Sequence, residues 1–425
     1  MYDGLTTSTF PTRRASPQEV AWEKLLLEIV EAVSVPASDY ERIESHYNAI
    51  SEILIEPDNP ELADGHVFPQ GSFLTRTVVR ALGKGEIDVD AILLLQETTL
   101  APRELLETLH AELEARARTQ GGVERRNRCV TVHYADASLP AHLDVTPAIA
   151  SDGNDDDEGW GPLEVPDYKQ ADWHPTNPRD FADWFNDISE TPILLEQGTV
   201  SFTEARKRAD AEQLPSHEAI NAFDPLRATV KLMKRHRDVF RERHGAEAPV
   251  PISVVITTLA AKAYKEVAEL SQKQPLTALQ AIREIITRMP NQFDQDGRTG
   301  SEWRLCNPRR RAENFAEKWN RDPAYAAMFA KWHGELASAV GLGFAAFSEE
   351  RTFEEEVLAA FGPEARKQTR SFLLEEAGLG HPLPGLDDTT AERLRKAGAV
   401  GAAFRGLGDA EPRQAAQPKS LGRLG

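Results

Sequence analysis

The chain has 425 residues, 40% hydrophobic and 28% charged, with a net charge of −19 at pH 7 and two cysteines. That length supports two domains with a sizeable core. The acidity argues against coating long nucleic acid through bulk electrostatics, and two cysteines make no disulfide framework.

Apolar runs are too short to span a bilayer and the first residues lack the apolar core of a signal peptide, which predicts a cytoplasmic protein with no membrane partner. After an arm over residues 1–16, residues 17–56 read as helical, with Trp22, Leu25, Leu26 and Ile29 at helical spacing. The stretch DNPEL at 58–62 is a turn. It leads into FPQGSFLTRT at 68–77. There Gly71 permits positive φ and close approach of a phosphate, and Ser72 offers a hydroxyl and an N–H. A helix starting at Phe73 would add donors and a favourable dipole. A plain serine helix cap is the competing reading. On the binding reading, Gly71→Val excludes phosphate with little loss of thermal stability.

Residues 89–95 read as a buried strand. Asp88 and Asp90, two apart, project to one face of it. Two carboxylates so close repel and are costly beside an apolar strand, and a divalent cation relieves both problems. Glu86 has the same parity and competes with Asp88. The preferred pair abuts the apolar run AILLL. A helix is predicted over 103–118, with Leu105, Leu109 and Leu113 on one face. Two strands at 129–136 and 141–150 are expected to pair as a hairpin. The second carries Asp144 between apolar neighbours. Three carboxylates are an oxygen-only set suited to Mg²⁺ or Mn²⁺, and to two-metal phosphoryl or nucleotidyl transfer. Asp88 and Asp90 take bridging positions. Asp144 holds the ion of the attacking hydroxyl and helps remove its proton. His133 and His142 on the same hairpin read as structural or edge-exposed.

The acidic stretch 151–161 reads as a solvated loop, and 177–187 as a short helix. Residues 216–374 read as almost wholly helical. Within them Arg227, Lys231, Lys234, Arg235 and Asp238 fall on one helical face, with Val230 and Met233 buried on another. Either a lysine of that face points into a cleft, or the face is solvated and salt-bridged. The tail from 378 is rich in Gly, Pro, Ala and Arg and reads as mobile.

Taken in order, these segments resemble the bacterial cGAS/DncV-like nucleotidyltransferases (CD-NTases), relatives of cyclic GMP-AMP synthase and oligoadenylate synthetase that act in CBASS antiphage signalling. QGSFLTRT looks like the family's Gly-Ser motif, EIDVDAILLL its metal-binding strand and AHLDVTPAI its third-aspartate strand. LRATVKLMKRHRD resembles its basic helix, and PISVVITTLAAKAY and NPRRRAENFAEKW its later helical motifs. Arg76 departs from the pattern, since many members have a small residue there.

The resemblance implies an α+β fold, with a polymerase-β-like nucleotidyltransferase core over 17–215 and an oligoadenylate-synthetase-like helical domain over 216–377. It implies Asp88, Asp90 and Asp144 as metal-binding catalytic residues. Gln70, Gly71, Ser72, Thr77 and Lys231 would contact nucleotide. ATP or another nucleoside triphosphate is the implied substrate and a cyclic di- or trinucleotide the implied product. Transfer to an RNA, protein or small-molecule acceptor, and a catalytically dead nucleotide-binding scaffold, are the alternatives. The tail over 378–425 ends Leu-Gly-Arg-Leu-Gly and looks like the ends of ubiquitin-like proteins. This makes Gly425 a candidate conjugation site for an E1/E2-like enzyme. A HORMA-type activator is the other partner class the family implies.

Overall fold

The computed structural model describes residues 16–83, 85–117, 121–134, 140–195, 214–218, 224–294, 302–341 and 350–376. Gly425, with the tail from 378, and the arm before Ser16 lie outside them.

Residues 17–56 form two helices. Helix α1 (Pro17–Val33) starts at a Ser16–Glu19 capping box. The chain breaks at Ser34–Pro36, since proline disfavours helix in the residue before it, and α2 (Ala37–Ile55) follows. Five strands then lie in the order β1 (His66–Pro69), β2 (Ile87–Leu95), β5 (Ala141–Ala150), β4 (Val130–Tyr134) and β3 (Val123–Arg125). β2 and β5 are parallel, and β4 pairs antiparallel with β5 as the hairpin reading expects. β6 (Leu163–Asp167) and β7 (Asp172–Thr176) continue from the far end of β5.

The one-turn α3 (Gly71–Leu74) sits between β1 and β2, and α4 (Pro102–Arg116) follows β2. One face of β2, carrying Ile87, Val89, Ala91, Leu93 and Leu95, packs with Ile43, Tyr47 and Ile50 of α2 and Leu105, Leu109 and Leu113 of α4. On the other face Ile92 and Leu94 join Phe68, Leu163 and Val165. Asp88 and Asp90 extend that second face past its apolar end. The strand is thus buried on both sides along its apolar half and open on one side only where the carboxylates stand.

The acidic stretch is more organised than a solvated loop. Asp156 accepts from the amides of Glu158 (3.0 Å) and Trp160 (2.7 Å). Gly159 is seated so tightly that a β-carbon there would lie 2.4 Å from the Phe68 ring. Beyond α5 (Pro178–Ser189) come α6 (Pro225–His244), α7 (Ser253–Lys273), α8 (Ala278–Arg288), α9 (Glu317–Arg321), α10 (Ala324–Gly341) and α11 (Glu350–Glu376). A hairpin of β8 (Cys306–Asn307) and β9 (Arg310–Asn314) interrupts them. The segment NPRRRAENFAEKW, expected as helix, is therefore mostly hairpin, and only its end enters α9.

The helices share one core with α1, whose Trp22, Leu25, Leu26 and Ile29 lie against them. Helix α6 runs through its centre and is buried without interruption from Pro225 to Arg237. Neither a solvated face nor a simple two-sided helix describes it. His236 on this helix lies among Trp332 and Phe361, ring centroids 6.4 and 6.1 Å away. Burial, reinforced by Arg243, pushes its pKa down to about 3. The folded protein keeps it neutral while the unfolded chain takes up a proton below about pH 6.5. Stability from this group is therefore lost as pH falls from about 6.5 toward 3, by at most about 1.4 kcal/mol per pH unit. Thermal unfolding of His236→Phe beside the parent at pH 7 and pH 5 should show the parent losing more on acidification. An equal loss in both proteins would contradict this.

Candidate active site

The Gly-Ser turn is built directly on the carboxylate strand. The Gln70 amide donates to the Asp90 carbonyl at 2.9 Å, extending the β1–β2 ladder by one bond. Gly71 then turns with φ +64°, and a β-carbon on it would lie 2.2 Å from Asp90 Oδ2. No other residue type fits there, because both the backbone conformation and the space exclude a side chain. The helix expected at Phe73 is only the single turn of α3. Arg76 follows in the left-handed region, φ 55°.

What holds the turn is the hydroxyl chain behind it. Thr75 Oγ1 donates to the Gly71 carbonyl (3.1 Å) and lies 2.9 Å from Thr77 Oγ1. Lys234 Nζ, from α6, donates to Thr77 Oγ1 (2.8 Å) and to its carbonyl (3.1 Å). Thr77 is wholly buried, so its hydroxyl belongs to the support of the turn and not to its surface. Lys231, the lysine expected at the nucleotide, is buried one turn away with Nζ 3.1 Å from Ser34 Oγ at the end of α1. Lys234 is the one whose charge is felt at Asp90 and Asp88. Burial, with Arg237 adding to it, pushes the Lys234 pKa down to about 7 despite those carboxylates. Its signal in the sequence was the i, i+3 spacing from Lys231, which cannot say which of two buried lysines faces the sheet.

The strand register brings the acids together. Asp90 is opposite Asp144, and Asp88 opposite His142, on the parallel strands β2 and β5. Thr131 of β4 is opposite Asp144 and donates its hydroxyl to Asp144 Oδ1 at 2.5 Å. The Cys129 thiol also hydrogen-bonds Asp144, and burial and that carboxylate push its pKa up. Asp88 is open to solvent, its side chain 59% exposed, with Oδ1 3.1 Å from His142 Nε2. Glu86, the alternative to Asp88, stands further out and touches His142 Nδ1 (2.9 Å) and His133 Nδ1 (3.2 Å). Burial, then Asp88 and Asp144, push the Asp90 carboxyl well above its ordinary range. Like charges held that close are stabilised by a cation. Asp88, His142 and Asp144 offer ligand atoms within 4.8 Å of one another. The donor set thus fits a divalent metal. His142, expected to be structural or edge-exposed, is part of this group.

Residues 22–188 match the Second Messenger Oligonucleotide or Dinucleotide Synthetase domain family. A c-di-GMP synthase of Roseivirga ehrenbergii is 24% identical over 306 residues, 71% of this chain and 74% of that protein. The CD-NTase CdnG of Bradyrhizobium diazoefficiens, solved in complex with GTP, shares the fold: TM-score 0.61 at 18% identity, over 83% of this chain and 98% of that one. Residues 22–188 thus resemble a domain that makes second-messenger oligonucleotides or dinucleotides, and the fold is that of the solved CD-NTases. A further CD-NTase fold match is the E. coli CdnC solved with ATP, TM-score 0.50 at 16% identity, over 80% of this chain and 98% of that one. CdnC has also been solved with a HORMA protein, TM-score 0.51 at 15% identity, over 80% of this chain and 97% of that one. The fold is accordingly a polymerase-β-like core with a helical C-terminal part.

The clash at Gly71 revises the expectation that Gly71→Val spares stability. Gly71→Ala should already lower the thermal midpoint, since an L-residue in the left-handed region costs about 1–2 kcal/mol before the contact with Asp90 is counted. Ser72→Ala should not. Differential scanning calorimetry of the two proteins decides, and an unchanged midpoint for Gly71→Ala would overturn the described geometry.

Proposed function

We propose that this protein is a CD-NTase that joins nucleoside triphosphates, ATP or GTP, into a cyclic di- or trinucleotide, and that the product serves antiphage signalling in the cytoplasm. The observation that carries this reading is the register that sets Asp90 against Asp144 and Asp88 against His142, directly below the Gly71 turn. We assign Asp88, Asp90 and Asp144 to the metal and Gln70, Gly71 and Ser72 to the triphosphate, with the nucleotidyltransferase unit over 17–215 and the helical unit over 216–377. Bound Mg²⁺ or Mn²⁺ would supply charge neutralisation at the attacked phosphate and activation of the attacking hydroxyl.

The remaining work belongs to the chain. The side-chain-free Gly71 lets a phosphate lie against the backbone beside Asp90. Thr131 fixes the orientation of Asp144, whose carboxylate would help take the proton of the attacking hydroxyl. Lys234 ties the end of the turn to α6 through Thr77. Among the described residues no helix is long and apolar enough to cross a membrane. Control by a HORMA-type protein or an E1/E2-like enzyme is the partner chemistry we propose.

The test is incubation of the purified protein with Mg²⁺ or Mn²⁺ and labelled nucleoside triphosphates, followed by phosphatase treatment. A small phosphatase-resistant product is expected, and Asp88→Asn with Asp90→Asn should reduce it by about a thousandfold or more. Label transferred to an acceptor, or unchanged triphosphate, would overturn the reading.

A further inference from the structure

Within the Asp88, His142 and Asp144 group, His142 offers a nitrogen where the other two offer oxygens. His142 sits on β5 two residues before Asp144, on the same face of the strand, and opposite Asp88 in the register. Its two ring nitrogens have different neighbours. Nδ1 meets Glu86 Oε2 at 2.9 Å, and Nε2 meets Asp88 Oδ1 at 3.1 Å. The ring is mostly buried, its side chain 14% exposed, whereas Glu86 and Asp88 are 34% and 59% exposed.

This is the arrangement found behind metal-binding histidines, where a carboxylate takes the proton of one ring nitrogen and so fixes the other toward the ion. Glu86 fills that position here, and it is itself shared with His133 Nδ1 at 3.2 Å. Nε2 together with one oxygen each from Asp88 and Asp144 forms a set whose members lie within 4.8 Å of one another. His133 does not join them. It stands one strand further out, opposite His142, between Glu86 and Glu124.

We propose that His142 Nε2 is a ligand of the metal site formed with Asp88 and Asp144, with Glu86 its supporting carboxylate, and that this nitrogen biases the site toward Mn²⁺ over Mg²⁺. The inference rests on the nucleotidyltransferase reading and adds to it the identity of the ion. Mg²⁺ takes oxygen ligands in near-ideal octahedra and keeps much of its water. Imidazole suits transition ions, and carboxylate together with imidazole is the ligand set of di-manganese carboxylate proteins. A site of oxygens alone would leave His142 as a mere hydrogen-bond donor to Asp88.

Electron spin-echo modulation of Mn²⁺ bound to the full-length protein, with and without ATP, reads the ligand atoms directly. A nitrogen modulation is expected in the parent. It should change when the histidines carry ¹⁵N, persist in His133→Gln and vanish in His142→Gln. Glu86→Gln should weaken Mn²⁺ binding by about 10–100-fold. The ¹⁵N comparison needs no variant, so it stands even if His142→Gln fails to fold. Bound Mn²⁺ with oxygen ligands only, or a nitrogen signal that survives in folded His142→Gln or disappears in His133→Gln, overturns this inference and leaves the nucleotidyltransferase reading standing. A parent protein that binds no Mn²⁺ with ATP present overturns both.

Discussion

The geometry depends on cations of α6 buried against the backbone of the segment that follows the Gly-Ser turn. Arg227 Nε donates to the Thr75 carbonyl at 3.1 Å, Lys234 to Thr77, and Arg235 Nη2 to the Arg80 carbonyl at 2.8 Å. These residues are at i, i+7 and i+8, one stripe of the helix. The two arginine bonds are charge-assisted, contributing about 1.5–3 kcal/mol each, and losing either would strand a buried charge. Lys231, at i+4, ties the end of α1 through Ser34. One helix therefore fastens the phosphate-side turn, the first helix and the helical core to a common axis.

The consequence at the site is a fixed height for Gly71. The turn cannot rise off β2, because the Thr75–Thr77 hydroxyl pair connects it to Lys234. It cannot sink, because Asp90 is already in contact with the glycine. The carboxylates are fixed separately, by the pairing of β2 with β5. Across the gap between helix and sheet, Lys234 and Asp90 feel each other's charge. The chemistry is placed where the two layers join, with the turn tied to β2 by the Gln70–Asp90 backbone bond and to α6 through Thr77.

Much of this was legible from periodicity. The i, i+2 parity put Asp88 and Asp90 on one face, the apolar flanks of Asp144 marked a second strand, and glycine marked the turn. The register was not legible, since parallel pairing between strands some fifty residues apart leaves no local signal. That is why His142, opposite Asp88, was set aside. Periodicity also failed on α6: when a helix is buried all round, charge on one face no longer means solvent. The expected long helical run missed the β8–β9 hairpin, whose Arg310 pairs with Glu164 of β6. Nothing in NPRRRAENF alternates in hydrophobicity, so the pattern that reveals strands was missing. The tight seat of Gly159 under Phe68 is likewise a tertiary contact that an acidic composition conceals.

The central claim is that α6, through Lys234, sets the Gly-Ser turn against the carboxylates. Amide hydrogen exchange over residues 70–80 measures it most directly, in Lys234→Met compared with Lys231→Met. The account predicts faster exchange at the Gln70, Thr75 and Thr77 amides in Lys234→Met, with protection of β2 retained, and no such change in Lys231→Met. Equal protection of the turn in both variants and the parent would contradict it.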